Sequence, residues 1–271
     1  MFKDFFTAML LVLIATCQGS LVECYGGKKS RIGYCAAEDP DERSLRALQE
    51  SDFETAIAIL EPLIEAEPEL YERYPRLAVA YASLGSFKIA DIVESIPQGG
   101  DPVQAIEGIL PVYQGREEAY TVELAWMDKA LVILRLVPDE TVVEDSNLGR
   151  AIRFQLRLYQ AAYSLMHLRK FATDVGASVG QASYTEDSLR NLSDQDVDVI
   201  LGNLQAAAAV AGTDSGEIEV QKKLDEFLIK IESAPGQSKK EKLIAHFSKK
   251  TPTDVPVETS SSEQTEGLGN E

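Results

Sequence analysis

Past Cys35 the 271-residue chain carries no cysteine, so its body offers no disulfide, no thiolate-bound metal and no cysteine nucleophile. Histidine is nearly as scarce. His167 and His246 stand in separate helical stretches, without the HExxH spacing of a zinc protease. There is no Gly-rich phosphate loop and no GxSxG elbow. Acidic pairs such as Glu65 with Glu67 and Asp139 with Glu140 fall at turns and helix ends, where a solvated face accounts for them. We therefore expect no enzyme, no cofactor and no metal. A ligand pocket lined by Trp126 and the later tyrosines is the weakest of the function classes considered.

Basic charge is in deficit: 26 lysines and arginines face 44 acids, for a net charge of −18. Phosphate neutralisation needs a basic surface, so a general role on nucleic acid is excluded, as is electrostatic docking on anionic lipid. Long apolar runs are missing too. Phe5 to Ala15 gives eleven mostly apolar residues, against the roughly 20 that a membrane-spanning helix needs. Strand-like alternation is absent except for the ambiguous run DVDVILGNL.

What is present begins with that N-terminal segment. Lys3 followed by a short apolar stretch has the form of a signal peptide, read over residues 1–16. Export agrees with the cysteines, which all lie at positions 17, 24 and 35. In an oxidising compartment Cys24 and Cys35 are a possible disulfide pair around YGGKKSRIGY, leaving Cys17 odd. The stretch LIATC resembles the lipobox of bacterial lipoproteins, with Ile14 and Ala15 in place and Thr16 where Gly, Ala or Ser is usual. That resemblance implies lipid attachment at Cys17. Since Gln18 is not the aspartate that retains some lipoproteins at the inner membrane, it implies the periplasmic side of the outer membrane. A conventional signal peptide and a soluble periplasmic or secreted protein is the alternative.

Residues 17–40 read as a tether. From 41 to 250 the pattern is helical nearly throughout, with apolar residues recurring at three- and four-residue steps. The expected spans are 41–50, 53–67, 71–84, 86–96, 102–113, 116–137, 147–172, 194–211, 215–232 and 238–248. The end, 251–271, is rich in Ser, Thr, Pro and Glu, has little to bury, and is expected to be a disordered tail.

Two segments carry an internal echo. LQESDFETAIAILEPLIEAEP sets Phe53, Ala56, Leu60, Leu63 and Pro68 in order, and YERYPRLAVAYASLGSFKIADI sets Tyr74, Leu77, Ala78, Tyr81, Gly85, Phe87 and Ala90. Phe53 and Phe87 are 34 residues apart, as are Ala56 and Ala90. This resembles the tetratricopeptide repeat. The resemblance implies small residues where antiparallel helices cross, Tyr81 and Leu77 filling the space beside them, and a left-handed cap at Gly85. It implies Pro68 as a helix terminator and neighbouring hairpins stacked into a short all-α solenoid. A bundle containing one repeat pair is the other architecture consistent with these residues.

One stretch breaks the acidic trend. Between Ser146 and Thr173 there is no acid, while Arg150, Arg153 and Arg157 lie on one helix face. Two readings follow: pairing with acids elsewhere in the chain, such as the acid-rich region 38–72, or a basic stripe for a partner's carboxylates with Tyr159 and Tyr163 as flat anchors. The function expected from the resemblance is a scaffold that holds envelope proteins or peptide segments at a membrane through the lipid anchor. The alternative is a transporter-associated helical lipoprotein of the T-component kind, touching a solute-binding protein or its ligand.

Overall fold

The structure, a computed structural model, describes residues 39–89, 102–110, 113, 116–172, 184–213 and 215–248. Cys17, Cys24, Cys35 and Ala90 lie outside the described residues, as do the signal segment, the tether up to 38, the tail 251–271 and most of the span 86–96.

The described residues form eleven helices and no strand. In chain order they are α1 (Pro40–Gln49), α2 (Phe53–Ala66), α3 (Arg73–Leu84), α4 (Pro102–Ile109), α5 (Glu117–Arg135), α6 (Asp139–Val143), α7 (Asn147–Arg169), α8 (Glu186–Arg190), α9 (Asp194–Ala209), α10 (Ser215–Glu232) and α11 (Lys239–Ser248). The short α6 and α8 carry too few turns to show periodicity and were not legible in sequence. DVDVILGNL resolves as helix. A capping box between Ser193 and Asp196 starts α9, and Val197, Ile200, Leu201 and Leu204 then fall on its buried face.

The long helices pack serially: α1 on α2, α2 on α3, α3 on α5, α5 on α7, α7 on α9, α9 on α10, α10 on α11. Second neighbours also touch in the pairs α1–α3, α3–α7 and α9–α11, while α4 lies against α7 and α10. Helix α7 is therefore flanked on several sides, and most of its residues, from Ile152 to Leu168, are buried. One apolar core runs from Leu60 to Phe247, and a small second cluster joins Ala47, Ala56 and Ala80 where α1, α2 and α3 meet.

The repeat-like residues occupy structural positions with two differences from expectation. Ala56, Leu60, Tyr74, Leu77, Ala78, Tyr81 and Phe87 are buried. Phe53 and Leu63 are half-buried, and Ile64 takes the inward place at the end of α2, because 56, 60 and 64 step evenly along one face. Pro68 stands exposed just past α2, where its carbonyl accepts a hydrogen bond from the Tyr74 hydroxyl at 2.9 Å.

The second difference corrects the expected cap. Gly85 has φ −76, outside the left-handed region. The left-handed residue is Ser86, with φ 59. Ser86 N–H bonds the Ser83 carbonyl and Phe87 N–H bonds the Ala82 carbonyl, which is a Schellman ending. The same pattern closes α1, with Ser51 at φ 61, Ser51 N–H on the Leu48 carbonyl and Asp52 N–H on that of Ala47. What Gly85 supplies is closeness: a Cβ there would meet the Glu123 carbonyl oxygen of α5 at 2.8 Å.

Candidate functional site

The α7 arginines are where the charge pattern pointed first. Arg153 and Arg157 do share a face, but that face is inside the molecule, with exposures of only 1% and 2%. Arg153 spends its guanidinium on the Val142 carbonyl at 2.6 Å, the Glu144 carbonyl at 2.9 Å, Thr213 Oγ1 at 2.6 Å and the Glu217 carboxylate at 3.2 Å. Thr213 N–H also donates to Glu217, at 2.7 Å. The acid thus comes from α10, sixty-four residues on, and not from the region 38–72. Arg157 donates to the Val210 carbonyl at 2.6 Å, and Arg169 donates to the Glu107 carbonyl. These side chains fasten α7 to the segments around it. Tyr159 is fully buried against Phe87, with ring centroids 5.9 Å apart. Arg150 is half-buried and occupied by Asp145 at 2.9 Å and Asn147 at 2.6 Å. The proposed partner-binding stripe therefore lacks an accessible surface at Arg153, Arg157 and Tyr159.

Tyr163 belongs to a different group, set between α5, α7 and the start of α9. Its ring packs on His167 at 4.8 Å, and the Tyr120 hydroxyl shares a hydrogen bond of 3.0 Å with His167 Nδ1. Burial is the main force on His167, pushing its pKa down to about 4. Asp196 nearby works against that, and Lys170 reinforces it. Burial likewise raises the phenols of Tyr113, Tyr120 and Tyr163. Burial pushes the Asp196 carboxyl up, yet Ser193 hydrogen bonds and the charges of Lys170 and His167 outweigh it and hold it below its ordinary value. Glu123, buried on α5, accepts from Tyr113 at 2.8 Å and Ser86 at 3.0 Å. His167 Nε2 is buried without a partner among the described residues, so no relay continues from it. The group ties α5 to α7.

An accessible feature lies on the opposite flank of α5. Trp126, half-buried, stacks on Tyr81 of α3 with ring centroids 5.7 Å apart and planes 22° from parallel. Lys129 places its ammonium 4.3 Å from the Trp126 ring centroid and 5.4 Å from that of Tyr81. The Tyr81 hydroxyl donates to the Glu61 carboxylate of α2, and burial followed by that bond raises the phenol's pKa. Beside the stack, Val122, Val132 and Leu136 are 51%, 46% and 59% exposed. With Ala125 and Lys129 they recur at three- and four-residue steps and share one arc of the helix surface. Sequence reasoning missed this arc because α5 is apolar on both flanks, and periodicity alone does not say which flank the neighbours cover.

Between α9, α10 and α11 an open pocket of about 410 Å³ is floored by Leu201, Leu228 and Ile231 and rimmed by Glu232, Lys239 and Lys242. No cluster of metal-ligating side chains occurs among the described residues. Compared with known proteins, the chain matches no family model, no curated sequence and no solved structure.

Proposed function

We propose that this chain is an exported, lipid-anchored module of tetratricopeptide-like helical hairpins that holds protein partners at the periplasmic side of the outer membrane. The observation that carries the interaction role is the exposed apolar arc of α5 beside the Trp126–Tyr81 stack. Aromatic and aliphatic anchors at the surface are what protein partners bury. Support for the hairpin solenoid comes from the serial packing, in which each long helix meets the next and, in places, the one after. Anchoring rests on the resemblance around Cys17 alone.

The alternative, a transporter-associated helical lipoprotein, calls for an apolar cavity through the helical body. The pocket over Leu201, Leu228 and Ile231 is open and edged by charge, which leaves this alternative second.

A photo-crosslinking residue placed at Val132 tests the interaction role in intact envelopes. The expected product is a discrete adduct that is absent when the same residue replaces Lys222, exposed on α10. Equal capture from both positions overturns the reading. For the anchor, labelling with a palmitate analogue is expected in the native chain and lost in Cys17→Ala. Equal labelling in both, or none in either, removes the lipoprotein assignment.

A further inference from the structure

The exposed arc of α5 continues onto a differently charged surface, and the combination specifies a partner. Glu61 and Glu65 stand exposed on α2 at a four-residue step, and neither is in a salt bridge among the described residues. Glu61 nonetheless reaches the Tyr81 hydroxyl, so a carboxylate borders the aromatic stack directly. On the other border, Lys129 holds its ammonium over both rings. The protein's own lysine thus demonstrates that a cation is accommodated on these faces, and it does so without a carboxylate partner in any described salt bridge.

We propose, building on the interaction role above, that this face binds a basic amphipathic segment of a partner protein. One lysine or arginine of that segment lies on the half-buried Trp126 ring in place of Lys129, with the buried Tyr81 ring stacked behind it. Its other cations meet Glu61 and Glu65, and its apolar side chains lie along Val132 and Leu136. Charge selects this occupant. A second copy of the chain would bring another −18 against the same acids, and a polyanion would meet repulsion from them. Length selects it too, since the apolar arc follows a nineteen-residue helix and suits a helical segment more than a small cation.

Trp126 is the chain's single tryptophan, so its emission reports on this face and nothing else. The probe is a short helical peptide of alternating leucine and lysine blocks, with a leucine–glutamate peptide as control, titrated into the full chain. The expected result is a saturable change in Trp126 emission with the lysine peptide alone, weakened by salt. The paired change Glu61→Gln and Glu65→Gln weakens binding about tenfold. Lys129→Met, which removes the competing ammonium and keeps an apolar stem, tightens it about threefold. A merely damaged protein would not gain affinity.

The proposal is overturned if both peptides bind alike, or if Lys129→Met leaves the affinity unchanged or lowers it. It is also overturned if the lysine peptide binds only after Lys28 and Lys29 are changed to Gln, for then the occupant is the chain's own KKSR stretch. Concentration-dependent dimerisation that vanishes in Trp126→Ala overturns it in favour of a second copy. Peptide failure alongside a discrete Val132 adduct sinks this inference and leaves the interaction role standing. Failure of both sinks the interaction role itself.

Discussion

At the scale of single residues, the two Schellman endings and Gly85 make opposite demands on the same kind of turn. Ser51 and Ser86 sit in the left-handed region, φ 61 and 59, where a side chain is disfavoured. Ser51 is exposed at the end of α1. Ser51→Gly is expected to stabilise the protein by about 1 kcal/mol, less the entropy glycine gains in the unfolded chain. Gly85 has no such conformational need, yet its replacement is the costly one. A Cβ there meets the Glu123 carbonyl at 2.8 Å and the Ala82 carbonyl at 3.2 Å, so α3 and α5 must separate. Gly85→Ala is expected to cost about 1–3 kcal/mol. Urea denaturation of the two variants checks both signs. A stabilised Gly85→Ala would show that the contact relaxes freely. Sequence reasoning identified the importance of Gly85 but assigned the wrong cause, because conformation and clearance both read as glycine.

At the scale of elements, polar side chains fix how the helices meet. Arg73 at the start of α3 reaches Asp41 of α1 at 2.7 Å, Glu67 at 2.8 Å and the Leu63 carbonyl at 2.9 Å, joining three helix ends. Its hydrogen bond to Asp41, with Glu67 adding, overcomes burial and raises its pKa. Arg153 does the equivalent for α6, α7 and α10. Removing one member of a buried pair leaves a stranded charge, so Glu217→Ala is expected to cost about 3–5 kcal/mol. The double change Arg153→Met with Glu217→Leu is expected to cost less than Glu217→Ala alone, which a double-mutant cycle in urea would read. A double variant worse than the single one would show that the four acceptors around Arg153 matter more than its charge.

The contact of α5 with α7 carries a pH dependence. Folded His167 stays neutral down to about 4, whereas the unfolded chain protonates it near its ordinary value of about 6.5. Between those values the unfolded state binds more protons, so this contribution is complete above about 6.5 and declines as pH falls toward 4. Asp196, also held low, adds its loss at the acid end. Thermal unfolding between these limits is expected to show that slope in the native chain and a flatter one in His167→Phe. Parallel slopes would place the titration elsewhere.

For the whole molecule, serial packing predicts unequal opening. Helix α1 contributes Ala47 to a small cluster with Ala56 and Ala80, whereas α7 lies in the main core and is touched by α3, α4, α5, α6 and α9. Hydrogen exchange is expected to release α1 amides well before those of α7, because among the described residues α1 packs chiefly on α2 and α3 and is tied to α3 by the Arg73–Asp41 and Arg76–Asp41 pairs. Uniform exchange across both helices would mean that the body unfolds as one unit.

The sequence by itself determined that the body is helical and where most helices begin and end, because apolar spacing, caps and prolines act over a few residues. It also determined the small buried residues of α2 and α3, since close helix crossing admits few side-chain types. Only the tertiary structure decided which faces remain outside. The basic face of α7 read equally as an internal pairing face or as a surface stripe and is interior, since Glu217, Thr213 and three backbone carbonyls from other segments satisfy it. The arc of α5 did not stand out from its other apolar flank and is exposed, since α3 and α7 cover the remaining flanks. Burial is a relation between segments far apart in the chain, and local periodicity records only that a face is distinct, not what finally lies against it.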